Sequence, residues 1–190
     1  MLSETLRERR IENEWSLLEG LADANPAVVE VLGRQSGEEQ TLFRIAVHQT
    51  AGILQNVGGM RFEFSLLAVL RFTRFFPSVP IELNLQVPVF HPNVDPANGF
   101  VCLWNRFDPS DNVVEALRRL QLVVSWSSVN LDAVHVMQPD AVKWYQDAGR
   151  ETKLPLEFTP LRCPEACTAE RLQGVKPVQP MRRRLEPIPD

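Results

Sequence analysis

The stretch His91-Pro92-Asn93-Val94-Asp95-Pro96-Ala97-Asn98-Gly99-Phe100-Val101-Cys102-Leu103 decides how this chain reads. It sets a cysteine shortly after a glycine turn, downstream of an asparagine that follows His-Pro. Free cysteines often serve as small buried hydrophobes. Cys102, however, has a glycine turn and polar residues around it rather than an apolar run, and a thiol open to solvent can act as a nucleophile. Proline after His91 biases that residue to extended backbone, so His91 reads as a loop-ordering residue rather than an acid–base group. Just upstream, the turn Phe76-Pro77-Ser78-Val79-Pro80 leads into Ile81, Leu83, Leu85 and Val87, which alternate with Glu82, Asn84 and Gln86. That is the period of a half-buried strand.

Further out, Ile11, Trp15, Leu18 and Ala22 recur at helical spacing, which predicts an amphipathic helix over residues 3–22 with Ser3 as its cap. Asn25-Pro26 ends it. Val28 to Leu32 and Leu42 to Val47 read as strands around a turn at Ser36 to Gln40. Gly58-Gly59 predicts a further turn. Arg61-Phe62-Glu63-Phe64 opens a third strand that runs towards Phe72. With Ile81–Val87 these make a four-stranded antiparallel meander that needs helices on one face, an α+β fold. Asn112 to Ser125 supplies one such helix, with Val113, Leu117, Leu120 and Val124 on one side and Asp111 or Ser110 as cap. Pro139-Asp140 opens a short helix through Ala141, Val142, Trp144 and Tyr145. From Glu151 onward prolines crowd and periodicity is lost. The expectation is a domain over residues 1–150 and a partly disordered Pro-rich extension over 151–190, ordered at first around Leu154 to Phe158.

A chain of 190 residues with 44% hydrophobic content can bury a sizeable core. No stretch is apolar enough to span a membrane, and residues 1–22 are too charged for a secretion signal. Cys102, Cys163 and Cys167 form no disulfide framework, which points to a reducing cytoplasm. A net charge of −4 gives no reason to expect nucleic acid as a partner. Cys163 and Cys167 are too few ligands for structural zinc, so no metal is expected.

A Pro-rich turn, a strand, His-Pro-Asn, a glycine turn and Cys-Leu, in this order, resemble the ubiquitin-conjugating enzymes, which carry a ubiquitin-like protein as a thioester on a cysteine. The Pro-acid-Ala-x-x-x-Tyr pattern at Pro139–Tyr145 extends the likeness, which covers residues 3–148. The resemblance implies a UBC-like fold. It implies that Cys102 accepts a ubiquitin-like protein from an activating enzyme and passes it to a lysine of a protein substrate. ATP chemistry then belongs to the activating enzyme, and no bound cofactor is expected. Asn93 takes the place of the family's oxyanion donor, a role worth roughly 3 kcal/mol of barrier; on the residues alone it serves equally as a tie for the loop beside Cys102. Asp132 and His135 are both candidates for the group that receives the incoming lysine. Asp132 also reads as a cap and His135 as a packed histidine. Arg7, Arg9 and Arg10 correspond to the basic face that meets the activating enzyme, and equally to an ordinary solvated helix face.

Several features depart from the family. The gap from Asn93 to Cys102 is longer, within Asp95–Gly99. Trp104 comes early, with Phe107-Asp108-Pro109-Ser110 standing in for a later Trp and Ser-Pro. Such divergence suggests a bacterial ubiquitin-like conjugation operon and, with it, antiviral defence. The scarcity of lysine (Lys143, Lys153 and Lys176) fits a GC-rich genome, and also a carrier with few amines of its own to modify. Two other functions compete: a non-catalytic module that only binds a ubiquitin-like protein, and a cysteine hydrolase. The hydrolase needs one of His48, His91 and His135 beside the thiol, with an orienting third group.

Overall fold

A computed structural model describes residues 2–56, 59–104, 106–132, 134–147 and 153–163. The element order is α1 (Leu2–Ala24), β1 (Val29–Ser36), β2 (Gln40–Asn56), β3 (Gly59–Thr73), β4 (Glu82–Leu85), α2 (Val113–Val124) and α3 (Pro139–Asp147). The strands form one sheet in the order β1-β2-β3-β4, each neighbouring pair antiparallel. This is the α+β meander that the alternating segments predicted. Of the expected turn at Gly58-Gly59, Gly58 lies outside the described residues; Gly59 opens β3 at φ 105°. Cys167 and the rest of the extension beyond Cys163 also lie outside them.

One sheet face carries Phe43, Ile45, Val47, Leu66, Leu70 and Phe72, and onto it pack Ile11, Leu18 and Leu21 of α1 and Val113, Leu117, Leu120 and Val124 of α2, all buried. A fully buried side chain of this kind contributes about 1.5–3 kcal/mol relative to an exposed one. Trp15, Phe43, Phe72 and Phe76 run as a chain of ring contacts through this layer. A second, smaller apolar cluster of Ile53, Phe90, Trp126 and Ala141 gathers Trp144, Tyr145, Leu154 and Leu156.

Several boundaries differ from the sequence reading: β1 continues past Leu32 to Ser36, and β4 keeps only Glu82–Leu85 of the stretch 81–87. Helix α1 begins at Leu2, so Ser3 lies inside its first turn and is not its cap. The cap of α2 is neither Asp111 nor Ser110 but Asn112, whose extended backbone (φ −128°) lets its Oδ1 accept from Val114 N–H and Glu115 N–H. Ser110 and Asp111 are instead tied into a turn with Asp108. Strand β2 runs well past Val47: after an irregularity between His48 and Gly52, where Gln49 takes φ 49°, it re-pairs with β3 through Asn56↔Gly59.

Glu14 joins the two main helices. It is fully buried, its Oε2 accepts Val113 N–H at 2.7 Å and its Oε1 meets Arg10 Nε at 2.8 Å. Burial pushes its carboxyl above the usual range, and the Val113 N–H and the Arg10 guanidinium pull it back down. The described part of the C-terminal segment lies across this layer as a strap. Phe158 bridges Thr50, Thr159 N–H donates to Gln49 O, and the Asn25 amide bonds both the N–H and the C=O of Arg162. Among the described residues, hydrogen-bonded structure thus continues past the expected Phe158 to Thr159 and Arg162.

Candidate active site

The stretch after β4 is hung on the sheet edge. Val101 N–H donates to Leu83 O and Leu85 N–H to Gly99 O, both at 2.8 Å, and Val94 bridges Val101. The longer turn closes on itself: Asp95 N–H donates to Phe100 O, Gly99 N–H to Asp95 O, and the Asp95 and Asn98 side chains accept from Ala97 and Phe100 N–H. Gly99 takes φ 72°, and a Cβ there would collide with the Leu85 carbonyl oxygen. Only glycine lets the turn press so closely on β4.

Cys102 leaves this turn with its backbone held at both ends by Asn93. Cys102 N–H donates to Asn93 O at 2.8 Å, and Asn93 Nδ2 donates to Cys102 O at 3.2 Å. The other end of the same amide, Oδ1, accepts Asn130 N–H at 2.8 Å. Asn93 is buried, 3% exposed. It therefore makes the loop tie that the sequence allowed, and stitches the cysteine segment to the 130s loop.

His91 is fully buried against the Trp126 ring, with Nδ1 accepting Asn93 N–H at 3.1 Å. Burial lowers its pKa to about 3. A neutral imidazole engaged with the loop backbone matches the ordering role expected of it.

The partly exposed Cys102 lines a hollow of about 290 Å³ together with Trp104, Asn130, Asp132 and His135. Trp104, which comes early for the family pattern, forms a fixed wall: its Nε1 donates to Ile81 O, and the Arg119 guanidinium stacks over its ring at 4.6 Å. Asp132 and His135 both come to this one hollow and to each other, with His135 Nδ1 and Asp132 Oδ2 3.1 Å apart and both side chains exposed. The Val134 N–H, then the His135 ring, hold the Asp132 carboxyl below its ordinary range. Asp132 also stabilises its own loop by accepting Val134 N–H, the capping role foreseen for it.

Sequence reasoning missed Asn130. Its Oδ1 accepts Asp132 N–H at 3.0 Å, and in the sequence it stands between Val129 and Leu131 with only its two-residue spacing from Asp132 as a signal. The three arginines of α1 separate. Arg7 donates to Phe72 O and Thr73 O, Arg10 to Asp111 O and to Glu14, while Arg9 is exposed. His48 is held between Glu30 and Ser65 across β1, β2 and β3, not in the hollow. Among the described residues no group of three or more His, Cys, Asp or Glu could hold a metal ion, and no helix is long and apolar enough to cross a membrane.

No family model matches the chain, and no curated protein is similar to it in sequence. Solved structures do match. A structure named as a ubiquitin conjugating enzyme from Trypanosoma cruzi aligns with a TM-score of 0.52 at 13% identity, over 76% of this chain and 90% of that one. One from Plasmodium yoelii, similarly named, aligns with a TM-score of 0.51 at 15% identity, over 75% and 86%. The chain has the UBC fold, at a sequence distance that marks it as divergent.

Proposed function

We propose that this protein is a ubiquitin-conjugating-type carrier that takes a ubiquitin-like protein from an activating enzyme onto Cys102 and transfers it to a lysine. The observation that carries the reading is the partly exposed Cys102 thiol, held at both backbone ends by Asn93 in a hollow shared with Asp132 and His135. In the first step the Cys102 thiolate attacks the carbonyl carbon of the modifier's C-terminal thioester, and the activating enzyme's sulfur leaves as a thiolate. In the second an amine attacks the Cys102 thioester, the C–S bond breaks, Cys102 leaves as a thiolate, and the amine nitrogen gives up its proton. The ionised Asp132 and its His135 partner stand in the hollow to orient that amine and receive the proton. Arg9, exposed on α1, remains available to an activating enzyme, with Arg7 and Arg10 setting the helix in place beside it.

The test is reconstitution with ATP and an activating enzyme and ubiquitin-like protein from the same organism. A thiol-sensitive adduct should form with the wild type and not with Cys102→Ala; an adduct persisting in Cys102→Ala overturns the assignment. The non-catalytic module predicts binding of the modifier with no adduct in any variant. A hydrolase reading draws one observation to itself, since a histidine paired with a carboxylate shares the hollow with the thiol. It predicts that a modifier fusion is cleaved only when both Cys102 and His135 are intact.

A further inference from the structure

Acyl transfer from a thioester passes through a tetrahedral oxyanion, and that charge needs a donor aimed at it. Asn93, the residue the sequence pattern offers, has its amide engaged at both ends: Nδ2 on Cys102 O and Oδ1 on Asn130 N–H. Turned in among backbone groups and 3% exposed, it holds the walls of the hollow together rather than facing into it.

Asn130 is differently placed. It lines the hollow with Cys102. Its backbone is fixed by Asn93, and its Oδ1 is occupied by Asp132 N–H at 3.0 Å. That bond decides which end of the amide is which: oxygen towards the loop, nitrogen away from it. Among the described residues the Asn130 Nδ2 has no hydrogen-bond partner, so it is the side-chain amide of the hollow with donors to spare.

We infer that Asn130 is the oxyanion donor of this site and that Asn93 is the positioning residue that sets it there. The inference rests on the carrier reading of Cys102. As the nucleophile adds to the thioester carbonyl carbon, the carbonyl π electrons move onto oxygen, Asn130 Nδ2–H donates to that oxygen, and the charge returns as the C–S bond breaks and the Cys102 thiolate departs. The donor thus comes from the loop that also carries Asp132 and His135, which couples charge stabilisation to the proton-accepting pair.

The experiment uses the full chain with Cys163→Ser and Cys167→Ser, leaving Cys102 as the sole thiol, and needs no activating enzyme. A Gly-Gly-terminated peptide thioester of mercaptoethanesulfonate is reacted with the protein to end point, excess reagent is removed, and release onto free lysine is followed by mass spectrometry. Asn130→Ala should slow release by roughly 100-fold. Asn130→Asp should be slowed as much, although its carboxylate still accepts Asp132 N–H and preserves the turn. Release from Asn130→Asp or Asn130→Ala at the parent rate overturns the inference and leaves the carrier reading standing. Failure of the parent protein to become acylated at Cys102 overturns both.

Discussion

His91 Nδ1 accepts the Asn93 N–H, so the ring proton resides on Nε2, where among the described residues the buried donor has no hydrogen-bond partner. A second proton would leave a charge in an apolar pocket against Trp126, which is why burial lowers the pKa to about 3 from 6.5. The sign follows directly. Above pH 6.5 folded and unfolded chains both carry neutral His91. Below it the unfolded chain takes up a proton that the fold refuses, so stability falls with pH until about pH 3. The slope from this single group approaches 1.4 kcal/mol per pH unit. Urea-unfolding free energies measured from pH 7 to 4.5 should therefore decline less steeply in His91→Asn than in the wild type; Glu14, whose shift runs the other way, is common to both proteins and cancels. At this scale the sequence was legible where residue type alone signals chemistry. His91 is such a case, expected to order its loop and found buried with its ring bonded to the loop backbone, and residue type also drew attention to Cys102, which lines the hollow. Asn130 was not, because its place is set by a hydrogen bond from Asn93 across 37 positions, a contact no local pattern encodes.

Among the elements, the turn Asp95–Gly99 is the most sensitive. Gly99 sits in the left-handed region with the Leu85 carbonyl in the way of any Cβ. Gly99→Ala should push the turn off β4 and with it the segment that leads to Cys102. A loss of about 2–4 kcal/mol is expected, from backbone strain and overpacking together. Thermal melting would register it, and the Cys102 amide, bonded to Asn93 O, should lose protection in hydrogen exchange. The strands and helices themselves were readable because apolar spacing of two and of three or four residues marks the faces that the core demands. The far half of β2 was not readable. Thr50-Ala51-Gly52-Ile53-Leu54 does not alternate, since Thr50, Ala51, Ile53 and Leu54 are all buried: Thr50 and Ala51 pair with the strap, Ile53 joins the second cluster and Leu54 the main core. The cap of α2 was misplaced by one or two residues because Ser110, Asp111 and Asn112 are all capping types, and the extended backbone of Asn112 makes the choice.

Over the whole molecule, the C-terminal strap binds together parts of the chain that are remote in sequence. Gln121 Nε2 donates to both Thr50 Oγ1 and Thr159 O, Leu161 is buried in the main core, and Arg118 Nη2 donates to Cys163 Sγ at 2.9 Å. Asn25 clasps Arg162 from the end of α1. Asn25→Ala leaves the Leu21 and Arg162 backbone groups without this partner and should cost about 2 kcal/mol, a fall of about 4–8 °C in Tm. Limited proteolysis should then cut the chain between Lys153 and Cys163 sooner than in the wild type. The sequence placed order in this segment only around Leu154 to Phe158, because the prolines at 155 and 160 erase any periodicity; the side-chain amides of Asn25 and Gln121, remote in the chain, supply hydrogen bonds that the proline-rich backbone cannot make for itself. The two apolar clusters have a consequence of their own. Val94, Val101 and Leu103 belong to the main core, while Phe90 and Trp126 belong to the smaller one. The thiol therefore sits at the junction of the two clusters: Val101 and Leu103, on either side of Cys102, are anchored in the main core, while His91, whose ring accepts the Asn93 N–H, rests on Trp126 of the smaller one, so the loop that positions the cysteine draws its rigidity from both.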